Sequence, residues 1–86
     1  MDAAAHDVVI RPATDADLDT DVRDALRTDP GGCWVAEADG EVVAHITSRV
    51  RELMWVLSSF AVRPDRRGGG IGPQLLAAAM HHGRGC

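Results

Sequence analysis

Lysine and tyrosine are absent from this 86-residue chain, phenylalanine occurs once, and cysteine stands only at Cys33 and Cys86. Without lysine there is no Walker-type nucleotide loop, whose lysine must reach the phosphates. The nine cations are all arginines, scattered from Arg11 to Arg84, a spread that reads as codon usage rather than as a recognition cluster. Against thirteen acids they leave a formal charge of −4, which argues against nucleic acid as the main partner, because such binding neutralises phosphates with a basic surface. No apolar run approaches the roughly 20 residues that span a membrane. The opening MDAAAHDVVI starts with an acid and lacks the basic-then-apolar order of a secretory signal. The expectation is a cytoplasmic chain with two free thiols, a disulfide between them being the minor alternative. The length suits one small domain and leaves no room for a second. With 45% hydrophobic and 26% charged residues, the composition is that of a globular protein.

Val8, Val9 and Ile10 form a short apolar run closed by Arg11 and Pro12, and predict a first strand. Thr14 ahead of Asp15 and Asp17 marks a helix start, with Leu18, Val22, Ala25 and Leu26 near helical spacing and Asp19, Arg23 and Arg27 facing water. The breaker cluster Asp29-Pro30-Gly31-Gly32 ends that helix near Thr28. Residues 33–38 and 41–50 are strand-like runs joined by Asp39-Gly40, a strong signal for a tight hairpin. Met54 to Val62 is apolar on both faces, as a central strand would be. From Gly72 onward Leu75, Leu76, Ala79 and Met80 make a helical stripe, with Gly83 as its C-terminal cap. The expected order is β-α-β-β-β-α, an α/β (α+β) chain with a mixed, mostly antiparallel sheet.

Between the last strand and the last helix runs VRPDRRGGGIGPQLL, residues 62–76. Glycines let a backbone take positive φ and approach a ligand closely. The free N–H groups opening the next helix suit an anion, so the turn reads as a phosphate cradle. It does not fit the dinucleotide pattern, since Leu75 occupies the place of the last small residue.

Placed between strand and helix, Arg67-x-x-Gly70-x-Gly72 resembles the acyl-coenzyme A signature of the GNAT superfamily of N-acetyltransferases. Phe60-Ala61-Val62, Pro64, Leu75-Leu76, the opening Ile10-Arg11-Pro12-Ala13-Thr14 with Asp17-Leu18, and Trp34-Val35-Ala36-Glu37 through Asp39-Gly40 to Val42-Val43 extend the likeness. The resemblance implies transfer of an acetyl group from acetyl-coenzyme A to a small-molecule or peptide amine, without a metal. It implies that the backbone of Arg67, Gly68, Gly69, Gly70, Ile71 and Gly72 binds the coenzyme's pyrophosphate. The edge at Phe60, Ala61 and Val62 would pair with the pantetheine arm, and the Phe60 N–H would polarise the thioester. Three departures stand beside it. Pro73 removes one N–H from the cradle, and Val56 replaces the glutamate base of the histone-acetylating branch. Residues 1–86 read as a single domain cut short after the signature helix, without the family's proton-donating tyrosine. The alternative to an enzyme is an impaired fragment that binds coenzyme A weakly or only self-associates. The sheet edge left open predicts a homodimer.

The remaining candidates take structural readings. His81, His82 and Cys86 have the spacing of a weak metal set and read as residues of a solvated helix end. His45 and Glu52, near the strand that would border an acceptor pocket, are candidate bases but read as surface or hairpin residues. Ser58 and Ser59 read as close packing without a base at recognisable spacing, and Trp34 and Trp55 as core.

Overall fold

The computed structural model describes residues 8–18 and 20–83, with the backbone alone for residues 20–22. Its elements follow the expected order. Strand β1 is Val8–Pro12, helix α1 Thr20–Thr28, strand β2 Cys33–Ala38, strand β3 Glu41–Arg51, strand β4 Met54–Val62 and helix α2 Ile71–His82. The strands form one sheet in the order β1-β2-β3-β4. All three pairings are antiparallel, so the mostly antiparallel sheet has no parallel pair among the described residues.

Turn chemistry fixes the registers. Asp39 and Gly40 take φ values of 54° and 79°, the left-handed pair that matches the twist of a two-residue hairpin. Pro12 sits on edge strand β1, where a missing N–H is tolerated. Two bulges, at Val43 between β2 and β3 and at Ser58 between β3 and β4, each add one residue to a strand.

Each face of the sheet carries one helix. On one face, Ile71, Leu75 and Ala79 of α2 are buried with Ala36, Ala38, Val43, Ala44 and Ile46. A fully buried Leu or Ile adds about 1.5–3 kcal/mol. The alanines keep the bed shallow, so the helix lies close to the sheet. On the other face, Ala25 of α1 joins Ala13, Leu18, Cys33 and Val35. Burial pushes the Cys33 thiol up, and it behaves as a small apolar side chain. No described helix is long and apolar enough to cross a membrane.

The expected start of α1 needs correction. The residues after Thr14 do not open α1: Asp15–Asp17 is a separate 3-10 turn and Leu18 is extended. The cause is Asp17, whose carboxylate accepts from the Thr14 N–H at 2.7 Å and from Arg11 at 2.8 Å, tying the turn back to β1. Leu18 is still buried, whereas Asp19 and the Val22 side chain lie outside the described residues. The run of β4, apolar on both faces as a central strand would be, is paired on one side only among the described strands, by β3. Met54, Val56, Leu57 and Phe60 stand 39–65% exposed along it.

The histidine expected to be solvated at the helix end is instead part of a buried junction. The carboxylate of Asp29 lies 3.0 Å from His82 Nε2 and accepts from the Val50 N–H and Arg51 Nη1, both at 2.9 Å. It thereby joins the end of α1, the end of β3 and the last turn of α2. Burial alone would raise the pKa of Asp29, but bonds from His82, Val50, Arg51 and Thr28 outweigh it and hold the carboxyl well below the usual range. Asp17 is likewise lowered, chiefly by Arg11. Because both folded values lie below the unfolded one, the stability they add is present at neutral pH and is lost as pH falls below the ordinary aspartate value. Replacing Asp29 by Ala strands the Val50 N–H and should cost about 3 kcal/mol, measured by urea unfolding at neutral pH. The difference between variant and parent should shrink progressively as the titration is repeated in acid.

Candidate functional site

The glycine turn follows β4 through a 3-10 turn at Pro64–Arg66 and enters α2 at Gly70. Gly68 and Gly70 take φ of 87° and 84°, in the left-handed region that costs other residues roughly 1–2 kcal/mol. Among the described residues, no group accepts from the N–H groups of residues 68–72. Pro73 contributes none. The first internal bond of the helix runs from the Gln74 N–H to the Gly70 carbonyl at 3.3 Å.

These donors border a hollow of about 400 Å³ lined by Val62, Arg66, Arg67, Gly68, Gly70, Gly72 and Pro73. Arg67 donates from Nε to the Val62 carbonyl at 3.2 Å, which ties the turn to the end of β4. Arg66 lies 3.7 Å from Asp39 of the β2–β3 hairpin. The hollow is open and lies beside the N-terminus of α2, with Arg66 and Arg67 among its lining residues, a setting that suits an anion.

The strand segment expected to hold the pantetheine arm adjoins this cradle. Phe60 faces α2, and a Cβ placed on Gly72 would lie 3.5 Å from the Phe60 ring and 4.0 Å from Val62. Phe60, Ala61 and Val62 pair with Ile46, His45 and Ala44 of β3 on one side. On the other side no described strand pairs with them. The expected site residues, Phe60, Ala61, Val62 and Arg67 through Gly72, therefore form one continuous surface from the outer edge of β4 to the start of α2.

The structure also brings together two residues whose chemistry the chain order hides. His45 Nε2 lies 2.8 Å from Ser59 Oγ across β3 and β4, so the serine does have an imidazole beside it. Only the register, offset by the bulge at Ser58, makes these two neighbours. Glu52 occupies the β3–β4 turn with φ 58°, a hairpin role. Trp34 donates from Nε1 to the Gly31 carbonyl at 2.8 Å, and both tryptophans pack against the core. Cys86 lies outside the described residues.

With this geometry in view, the profile of the acetyltransferase (GNAT) family matches residues 3–86. The chain belongs to the GNAT family. It is 33% identical over 82 residues to a mycothiol acetyltransferase of Streptomyces coelicolor, and 34% identical over 82 residues to one of Streptomyces griseus subsp. griseus. Each alignment covers 93% of this chain and 26% of the relative, so the chain spans about a quarter of these enzymes. Among solved structures, Ard1 from Thermoplasma volcanium superposes with a TM-score of 0.78 at 22% identity, covering 91% of this chain and 64% of Ard1. Arabidopsis thaliana Naa50, solved with the bisubstrate analogue CoA-Ac-MVNAL, gives 0.71 at 16% identity, covering 87% and 63%. Both share this GNAT fold.

The glycines of the cradle differ in what they require. Gly70 needs its φ, so Gly70→Ala should lose about 1–2 kcal/mol. Gly72 needs only ordinary contact distance, so Gly72→Ala should be neutral or gain up to about 0.5 kcal/mol from helix propensity. Thermal unfolding of the two variants in parallel checks this ordering.

Proposed function

We propose that this chain binds acetyl-coenzyme A and transfers its acetyl group to an amine. The observation that carries the reading is the row of N–H groups at residues 68–72 that no described group accepts, beside the side of β4 at Phe60 to Val62 that no described strand pairs. Pyrophosphate supplies the acceptors that the cradle lacks. The edge supplies main-chain groups to the amide-containing pantetheine arm, in the manner of strand addition. The mycothiol acetyltransferases and the Naa50 complex support the same chemistry, with a small molecule or a peptide N-terminus as acceptor.

In the proposed reaction the amine nitrogen attacks the thioester carbonyl carbon, the carbon–sulfur bond breaks and coenzyme A leaves as its thiolate. The Phe60 N–H stabilises the oxyanion, a contribution of about 3 kcal/mol for one such donor. We assign the proton released by the amine to His45, reached through the hydroxyl of Ser59, which directly precedes Phe60. No covalent enzyme intermediate is involved.

Coenzyme A at about 100 times its dissociation constant adds about 2.7 kcal/mol, which should raise the melting temperature by roughly 10–20 °C for a domain of this size. An unchanged melting temperature at millimolar coenzyme A contradicts the reading. In a thiol-release assay with a panel of amines, His45→Gln should lower kcat about a hundredfold while leaving the KM for acetyl-coenzyme A unchanged. An equal loss in binding would reduce His45 to a support of the sheet.

A further inference from the structure

Three arginines stand on the turn between β4 and α2, and they differ in how far their donors are used. The guanidinium of Arg63 is committed, donating to Asp65 at 2.8 and 3.1 Å and to Glu41 at 3.2 Å. Arg67 gives its Nε to the Val62 carbonyl at 3.2 Å. The side chain of Arg66 is only 23% exposed, yet among the described residues its guanidinium donates no hydrogen bond, and its ion-pair partner Asp39 stands 3.7 Å away. A guanidinium carries five N–H donors in a planar fork. Taking most of it out of water with the fork unused is unfavourable until an acceptor is found.

Asp39 is a poor candidate for that acceptor. It sits at the tip of the β2–β3 hairpin with its side chain 74% exposed, and an exposed partner at this separation holds an arginine weakly. Arg66 also lines the hollow of about 400 Å³ together with Gly68, Gly70 and Gly72. The N–H groups of residues 68–72, which no described group accepts, border the same hollow. Two sets of donors thus meet at one place. The acceptor that matches both is a phosphate, whose oxygens take two parallel bonds from a guanidinium.

We propose that Arg66 is a phosphate ligand of this site and that Asp39 competes for it: a phosphate of the coenzyme takes the guanidinium and releases it from the hairpin. The identity of the ligand rests on the function proposed above. Asp39 then sets the affinity of the site from outside it, because one guanidinium serves either the carboxylate or the phosphate. The pyrophosphate and the ribose phosphate of coenzyme A offer the same chemistry, and Arg66 meets one of them.

Calorimetric titration of the parent chain and its variants with coenzyme A, dephospho-coenzyme A and inorganic pyrophosphate tests this. Arg66→Gln should weaken coenzyme A binding at least about tenfold. A loss shared by dephospho-coenzyme A assigns Arg66 to the pyrophosphate, and a loss confined to coenzyme A assigns it to the ribose phosphate. Asp39→Asn should tighten binding about two- to fivefold, and asparagine accepts the positive φ of this position. In the double variant that gain should vanish, since Asp39 then has no arginine to hold. Arg63→Gln removes the same charge from a residue that does not line the hollow, and should stay within about twofold of the parent. Circular dichroism melts confirm that each variant folds. Arg66→Gln that binds coenzyme A as the parent does overturns the proposal, as does an equal loss in Arg63→Gln, which traces binding to net charge. A gain from Asp39→Asn that persists in the double variant overturns the competition. If coenzyme A fails to bind the parent, the function proposed above falls and pyrophosphate decides for Arg66: binding that Arg66→Gln weakens supports the phosphate ligand, and absence of binding overturns it.

Discussion

The site depends on how α2 lies against the sheet. Ala36, Ala44 and Ile46 form a shallow apolar bed on β2 and β3, and Ile71, Leu75 and Ala79 settle into it. That contact places the first turn of α2 beside the last residues of β4, where Phe60 and Val62 meet Gly72. The opposite end of the helix is pinned by His82 against Asp29. A helix fixed along its face and at its C-terminus has little freedom to carry its N-terminal N–H groups away from the β4 edge. The cradle and the strand segment are thus parts of one rigid arrangement, although the turn that joins them is rich in glycine.

Much of this was legible in the residue order because it is written locally. Asp39-Gly40 calls for left-handed dihedrals and both residues adopt them. The Asp29-Pro30-Gly31-Gly32 cluster stops a helix, and α1 ends at Thr28. The spacing of Leu75 and Ala79 marks the buried face of α2, and the glycine turn takes positive φ at Gly68 and Gly70. What the residue order does not reveal depends on distance along the chain. Asp29 and His82 are 53 positions apart, and His82 looked like a solvated end residue because nothing near it in sequence offers a partner. His45 and Ser59 became neighbours only through a register that a bulge had shifted. The helix start at Thr14 misled because Asp17, a good first-turn acid, is claimed by Arg11 from the preceding strand.

Strand β4 presents a different case. Its composition correctly describes a strand meant to be covered on both faces and along both edges, yet on one side no described strand pairs with it. The mismatch between what these side chains require and what surrounds them is the reason this edge is the most consequential surface of the fold. Coenzyme A or a second strand can satisfy its main-chain groups, and the apolar side chains favour whichever partner also removes them from water. Membership of the GNAT family and the geometry of the glycine turn point to coenzyme A.

The central claim is that the backbone N–H groups of the glycine turn and the outer edge of β4 together receive coenzyme A. Amide chemical shifts measured by ¹⁵N-resolved NMR during titration with coenzyme A test it most directly. The account predicts that the largest changes fall at residues 68–72 and at Phe60, Ala61 and Val62, with β1 and α1 unaffected. Binding that leaves the amides of residues 68–72 unmoved while shifting signals elsewhere would contradict it.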